Sequence, residues 1–139
     1  MLMMRFAALA ARWMPDAEIL EIHHEKKADA PSGTAMRTAE IIDSARREMP
    51  TTRPVSTVLV PGARGGTHAN VPIHSMRLPG HVAAQQVIFG AAGESLTLRH
   101  DVLDRNVYSA GILLALRRVK TLDQLEVGLE SALFAGEGF

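Results

Sequence analysis

The sequence predicts an α+β domain in which helices flank a mostly antiparallel or mixed sheet of about four strands. Three observations carry this. A helical pattern, a strand and a second helix fill the N-terminal third, strand patterns then follow one another without a helix between them, and a further helical segment closes the chain. At 139 residues the chain fits one domain large enough to bury a core. Its 47% hydrophobic and 22% charged residues are ordinary globular usage, which excludes a disordered or collagenous chain.

Leu2, Phe6, Leu9 and Trp13 recur at helical spacing, so Met1–Met14 reads as a short amphipathic helix buried on that stripe. Trp13, the only tryptophan, is expected to anchor the core. Arg5 and Arg12 interrupt the apolar run, which speaks against both a membrane span and a signal peptide. Glu18–His24 reads as a strand with Ile19, Glu21 and His23 on one face and Leu20, Ile22 and His24 on the other. Glu25–Pro31 is a polar loop. Ser32 opens a helix whose stripe of Ala35, Ala39, Ile42, Ala45 and Met49 ends at Pro50. Thr51–Pro54 is a connector, and Thr57–Val60 is a short β-branched strand closed by Pro61-Gly62. Val71–Arg77, Val82–Phe89 and Glu94–Asp101 are three further strands, the last setting Leu96, Leu98 and His100 against Ser95, Thr97, Arg99 and Asp101. Asp104 suits the N-cap of a helix through Gly111 to Arg118, and Thr121–Phe134 adds a final short helix.

Charge and composition narrow the function. Fifteen Lys and Arg balance fifteen Asp and Glu, whereas a general nucleic-acid binder carries a basic excess. The absence of cysteine excludes a disulfide scaffold, a Cys-ligated zinc site and a thiol nucleophile. An intracellular, cytoplasmic protein fits best, while the lack of cysteine taken alone also suits a periplasmic one. Neither Gly62-Ala63-Arg64-Gly65-Gly66 nor Gly90-Ala91-Ala92-Gly93 lies at a strand-to-helix junction, where phosphate is bound, and the second reads as a hairpin turn.

The densest chemistry lies between Glu21 and Ala35. Histidine titrates near neutrality, so His23 and His24 are candidates for a general acid or base. Lys26 and Lys27 offer point charges for a carboxylate. Ser32-Gly33-Thr34 at a helix start offers unpaired backbone N–H groups, two hydroxyls and a favourable dipole. A cationic arm beside a helix start reads as a clamp for a carboxylate-bearing ring. Blander readings stay open: Ser32 and Thr34 as mere caps, the lysines as a solvated loop face. A metal site is not expected, because the His pair has no third ligand at suitable spacing.

The string His23-His24-x-x-Lys27-x-Asp29-Ala30-Pro31-Ser32-Gly33-Thr34-Ala35 resembles the signature of the 4-hydroxy-tetrahydrodipicolinate reductases (dihydrodipicolinate reductases) of diaminopimelate and lysine biosynthesis. Gly93-Glu94-x-Leu96-Thr97-x-x-His100-Asp101, Asp104-Arg105 and Gly111 resemble later motifs of the same family. The resemblance implies that residues 1–139 form the C-terminal, substrate-binding and tetramerising domain, without the N-terminal dinucleotide-binding Rossmann domain. It implies catalytic roles for His23, as proton donor, and for Lys27. It also implies substrate contacts from His24, Lys27, Ser32, Gly33 and Thr34. The implied cofactor is NADH or NADPH, with Arg105 its sole candidate contact in this chain, and the implied assembly is a homotetramer. Hydride transfer by these residues alone is not expected. The alternative is a non-catalytic oligomeric module that binds a dicarboxylate.

Overall fold

The computed structural model describes residues 1–47 and 57–134; Met49, Pro50 and the Thr51–Pro54 connector lie outside them. The described residues form two compact units, Leu2–Leu103 and a second that begins at Asp104. The first contains α1 (Leu2–Ala11), β1 (Asp16–His23), α2 (Gly33–Ala45), β2 (Gly66–His68), β3 (Val71–Arg77), β4 (Ala83–Ala91) and β5 (Glu94–Val102). The strands form one sheet in the order β2-β3-β1-β4-β5. β1 runs parallel to β3, and every other neighbouring pair is antiparallel. The expected α+β class with a mixed sheet is present, with five strands instead of about four.

Register explains both the core and the site. On one face, Ala17 and Ile19 of β1 lie beside Ile73 of β3 and beside Val87 and Phe89 of β4, with Leu98 of β5 beyond. These residues form one cluster with Ala7 and Ala11 of α1 and with Ala35, Ala39 and Ile42 of α2. Alanine facing the sheet lets the helix backbones approach it closely. Further along the same face the rows turn polar: Glu21 aligns with Ser75 and Gln85, and His23 aligns with Arg77. The polar rows coincide with the end of β1.

The first helix forms as expected but turns a different face inward. Met4, Ala7 and Ala11 are buried, whereas Leu2, Phe6, Leu9 and Trp13 are exposed. Close packing selects the small residues, so the bulky stripe points outward. Trp13 is 70% exposed and is no core anchor; the Arg47 guanidinium lies 4.5 Å from its ring centre.

No strand forms at Thr57–Val60. Residues 57–60 are irregular and exposed and lead into a turn through Pro61, because no neighbouring strand takes their backbone bonds. The sheet's edge is instead Gly66–His68, joined to β3 by Ala69 and Asn70, both at positive φ, as a tight hairpin requires. Gly90–Gly93 is the expected hairpin, with Ala91 paired to Glu94.

In the second unit, the Asp104 side chain accepts from the Asn106 amide and caps a 3-10 turn (Arg105–Val107) that leads into α3 (Tyr108–Arg118). The final segment is less helical than expected: a 3-10 turn at Val119–Thr121 is followed only by α4 (Glu130–Leu133). Among the described residues, no helix is long and apolar enough to cross a membrane.

Candidate functional site

The site builds from the last residues of β1. Alternation places Glu21 and His23 on the helix-covered face, and β3 brings Arg77 alongside in register with His23. His23 is 17% exposed at its side chain, and its Nδ1 lies 2.5 Å from Oε2 of the wholly buried Glu21. Arg77 grips the same carboxylate in a fork, with its two terminal nitrogens 3.0 and 2.8 Å from Oε2 and Oε1.

Burial by itself pulls the Glu21 carboxyl upward; hydrogen bonds from Arg77, Ser75 and His23 outweigh it and hold the group below its ordinary value of 4.5. A carboxyl depressed on folding adds stability that is fully present above its unfolded value and lost as pH falls through the folded one. Resistance to urea unfolding should therefore fall below about pH 4.5, the ordinary value. Glu21→Gln should lose part of that acid sensitivity. Identical pH profiles for the two proteins would remove Glu21 as a source.

The loop after β1 carries the cationic arm. His24 is half-buried, and its carbonyl accepts from the Lys27 amide in a turn at 3.1 Å. The Lys27 ammonium is 2.6 Å from the Asp29 carboxylate and holds that carboxyl below its usual range. Arg77 also donates to the Asp29 carbonyl at 2.7 Å, so one guanidinium holds both Glu21 and this loop.

Ser32 is buried, and its hydroxyl accepts from the Ala35 amide at 3.2 Å; the cap reading of this residue is correct. The first helical bond, from the Met36 amide to the Ser32 carbonyl, leaves the Gly33 and Thr34 amides without a helix carbonyl. Both residues are exposed, and Gly33 faces open space. The helix start is docked by a short chain of bonds. Gln85 donates to the Thr38 hydroxyl at 2.9 Å, and that hydroxyl donates to the Thr34 carbonyl at 2.8 Å.

His23, His24, Lys27, Ser32, Gly33 and Thr34 thus follow one another around the end of β1 and the start of α2. Arg105 lies exposed in the second unit. Sequence reasoning missed Glu21 and Arg77 as partners of the site. Glu21 had a signal, since it shares His23's face two residues earlier; Arg77 had none, because its partner is 56 positions away. Outside the site, His68 pairs with Glu40 and His74 with Glu18, both at partly exposed positions. Among the described residues, no three His, Asp or Glu are grouped to hold a metal ion.

The Gly33–Thr34 helix start, a lysine-bearing loop and a carboxylate-backed histidine thus lie around one end of β1 in an α+β domain. The family described as dihydrodipicolinate reductase, C-terminus, matches residues 1–133. The chain is 50% identical over 132 residues to the 4-hydroxy-tetrahydrodipicolinate reductase of Limosilactobacillus fermentum, covering 95% of this chain and 51% of that protein. It is 49% identical to the corresponding reductase of Lysinibacillus sphaericus, again over 132 residues. A dipicolinate-bound dihydrodipicolinate reductase from Paenisporosarcina sp. TG-14 superposes with a TM-score of 0.80 at 45% identity, over 93% of this chain and 49% of that one. The chain belongs to the dihydrodipicolinate reductase C-terminal family. It spans about half the length of the relatives it matches.

Proposed function

We propose that this chain is the substrate-holding and proton-donating part of a 4-hydroxy-tetrahydrodipicolinate reductase, acting on a cyclic dicarboxylate in diaminopimelate and lysine biosynthesis. One observation carries the reading: the unbroken segment from His23 to Ala35 wraps the end of β1 and the start of α2, with His23 backed by a buried carboxylate. The Gly33 and Thr34 amides take one carboxylate, assisted by the helix dipole. Lys27, exchanging Asp29 for the ligand, and His24 hold the other end. His23 gives its proton to the ring atom adjacent to the one that receives hydride. A ring dicarboxylate bound to the Paenisporosarcina reductase is the chemistry such a clamp suits.

The hydride donor for this reaction is NADH or NADPH. This chain's glycine segments do not fit a dinucleotide, since one leads into the edge strand β2 and the other closes the β4–β5 hairpin. Cofactor binding is therefore assigned outside these residues, with Arg105 the one contact offered from within. A cytoplasmic location accompanies the biosynthetic role.

Calorimetry with pyridine-2,6-dicarboxylate tests the clamp. Lys27→Ala should weaken binding by ~1.5–3 kcal/mol, as for a hydrogen bond to a charged group. Equal affinity of the two proteins would take the lysine out of the site.

We further propose a homotetramer. The sheet face turned away from the helices carries Leu20, Ile22, Ala84, Gln86, Ile88 and Thr97, and β4 adds no charge to it, the charges of that face being Glu18 beside Ile88 and Arg99 and Asp101 on β5. Ile88 at its centre is 40% exposed, and such a surface is a liability on a monomer. Closed symmetric assembly covers it. Light scattering should give a tetramer mass for the purified chain and a smaller one for Gln86→Glu; a monomer mass for the native sequence would overturn the assembly.

A further inference from the structure

We infer that Glu21 is a positioning residue for His23, anchored by Arg77: its buried carboxylate accepts the Nδ1–H and leaves Nε2 as the nitrogen that exchanges a proton with substrate. The inference rests on the reading of His23 as proton donor and supplies the atom through which it acts.

Four features of the site argue for it. Glu21 is wholly buried in the middle of a sheet, where a lone carboxylate is costly, and the Arg77 fork compensates its charge. An ionised carboxylate has only lone pairs to offer, so the ring nitrogen 2.5 Å from Oε2 must carry the hydrogen. Nε2, the remaining ring nitrogen, is then the one that gains and loses a proton. Free histidine prefers the other neutral tautomer, so Glu21 reverses the resting preference of the ring. The same guanidinium holds the Asp29 carbonyl, so Arg77 sets the donor ring and the Lys27 loop together. Gln85, aligned with Glu21 on β4, carries the Thr38–Thr34 bonds that seat the helix start beside them.

A salt bridge that merely stabilises the fold makes a different forecast. Replacing both members of a buried pair by apolar residues of similar size is often neutral for stability. If the pair were only structural, Glu21→Met/Arg77→Met would behave as the native chain. Long-range 15N–1H correlation spectra of the full 139-residue chain, recorded at alkaline pH where the rings are neutral, separate the two. The native chain should show His23 as the Nδ1–H tautomer with an exchange-protected, strongly downfield proton, and the double variant should show Nε2–H. An Nε2–H ring in the native chain, or an unchanged Nδ1–H ring in the variant, would overturn the inference. If the double variant does not fold, the isosteric Glu21→Gln serves. Its amide can donate as well as accept, so the downfield proton should disappear, and its persistence unchanged would equally overturn the inference. Titration of the same samples with pyridine-2,6-dicarboxylate judges the substrate reading separately. A native chain that shows the Nδ1–H tautomer but no binding would fail the functional reading and leave Glu21's role standing.

Discussion

Joined to the N-terminal half of a related reductase, the His23→Ala chain should turn over substrate ~10²–10⁴-fold more slowly than the native sequence, the range expected for loss of a general acid. The effect should fall on kcat, because the role proposed for the ring is to deliver a proton in the transition state and not to hold the ground-state ligand. His24→Ala should instead raise the apparent KM, since His24 is proposed as a ligand contact with no part in the proton transfer. Steady-state kinetics on both variants distinguish the roles. A larger loss of kcat from His24→Ala than from His23→Ala would exchange the two assignments.

Phe89→Ala should destabilise the chain by ~3–5 kcal/mol, measured by urea unfolding. Phe89 is the largest fully buried side chain among the described residues, and it faces a core whose helix side is mostly alanine: Ala7, Ala11, Ala35 and Ala39. Alanine has no rotamers with which to fill a void. Helices already seated on a sheet through alanine cannot settle much closer. The cavity should therefore persist, which places the cost toward the upper end of that range. A loss below about 1.5 kcal/mol, the cost typical of volume-conserving swaps, would mean that the region collapses and that its packing is not as tight as the burial indicates.

The parts of this protein that were legible in its sequence are those decided within a few residues of chain. Ser32 and Asp104 cap helices because a side-chain oxygen reaches an amide two or three positions on, and that geometry is local. The strands Val71–Arg77 and Glu94–Val102 follow from alternation, and Gly93 at positive φ follows from the tight turn it closes. The segment from His23 to Ala35 stood out in the sequence because its residues are contiguous. What the tertiary structure alone decided is which local solutions meet. The bulky stripe of α1 and its alanine stripe were both helical, and the sheet selected the alanines because they allow closer packing. Thr57–Val60 had β-branched residues but no neighbour, so no strand formed, while Gly66–His68, unpromising in composition, became an edge strand because β3 offered it bonds. Glu21 and Arg77 lie 56 positions apart, and only the parallel pairing of β1 with β3 joins them. Hydrogen-bond partners across a sheet are fixed by register, and register is set by the burial of the whole apolar face at once, a quantity that no short stretch of sequence contains.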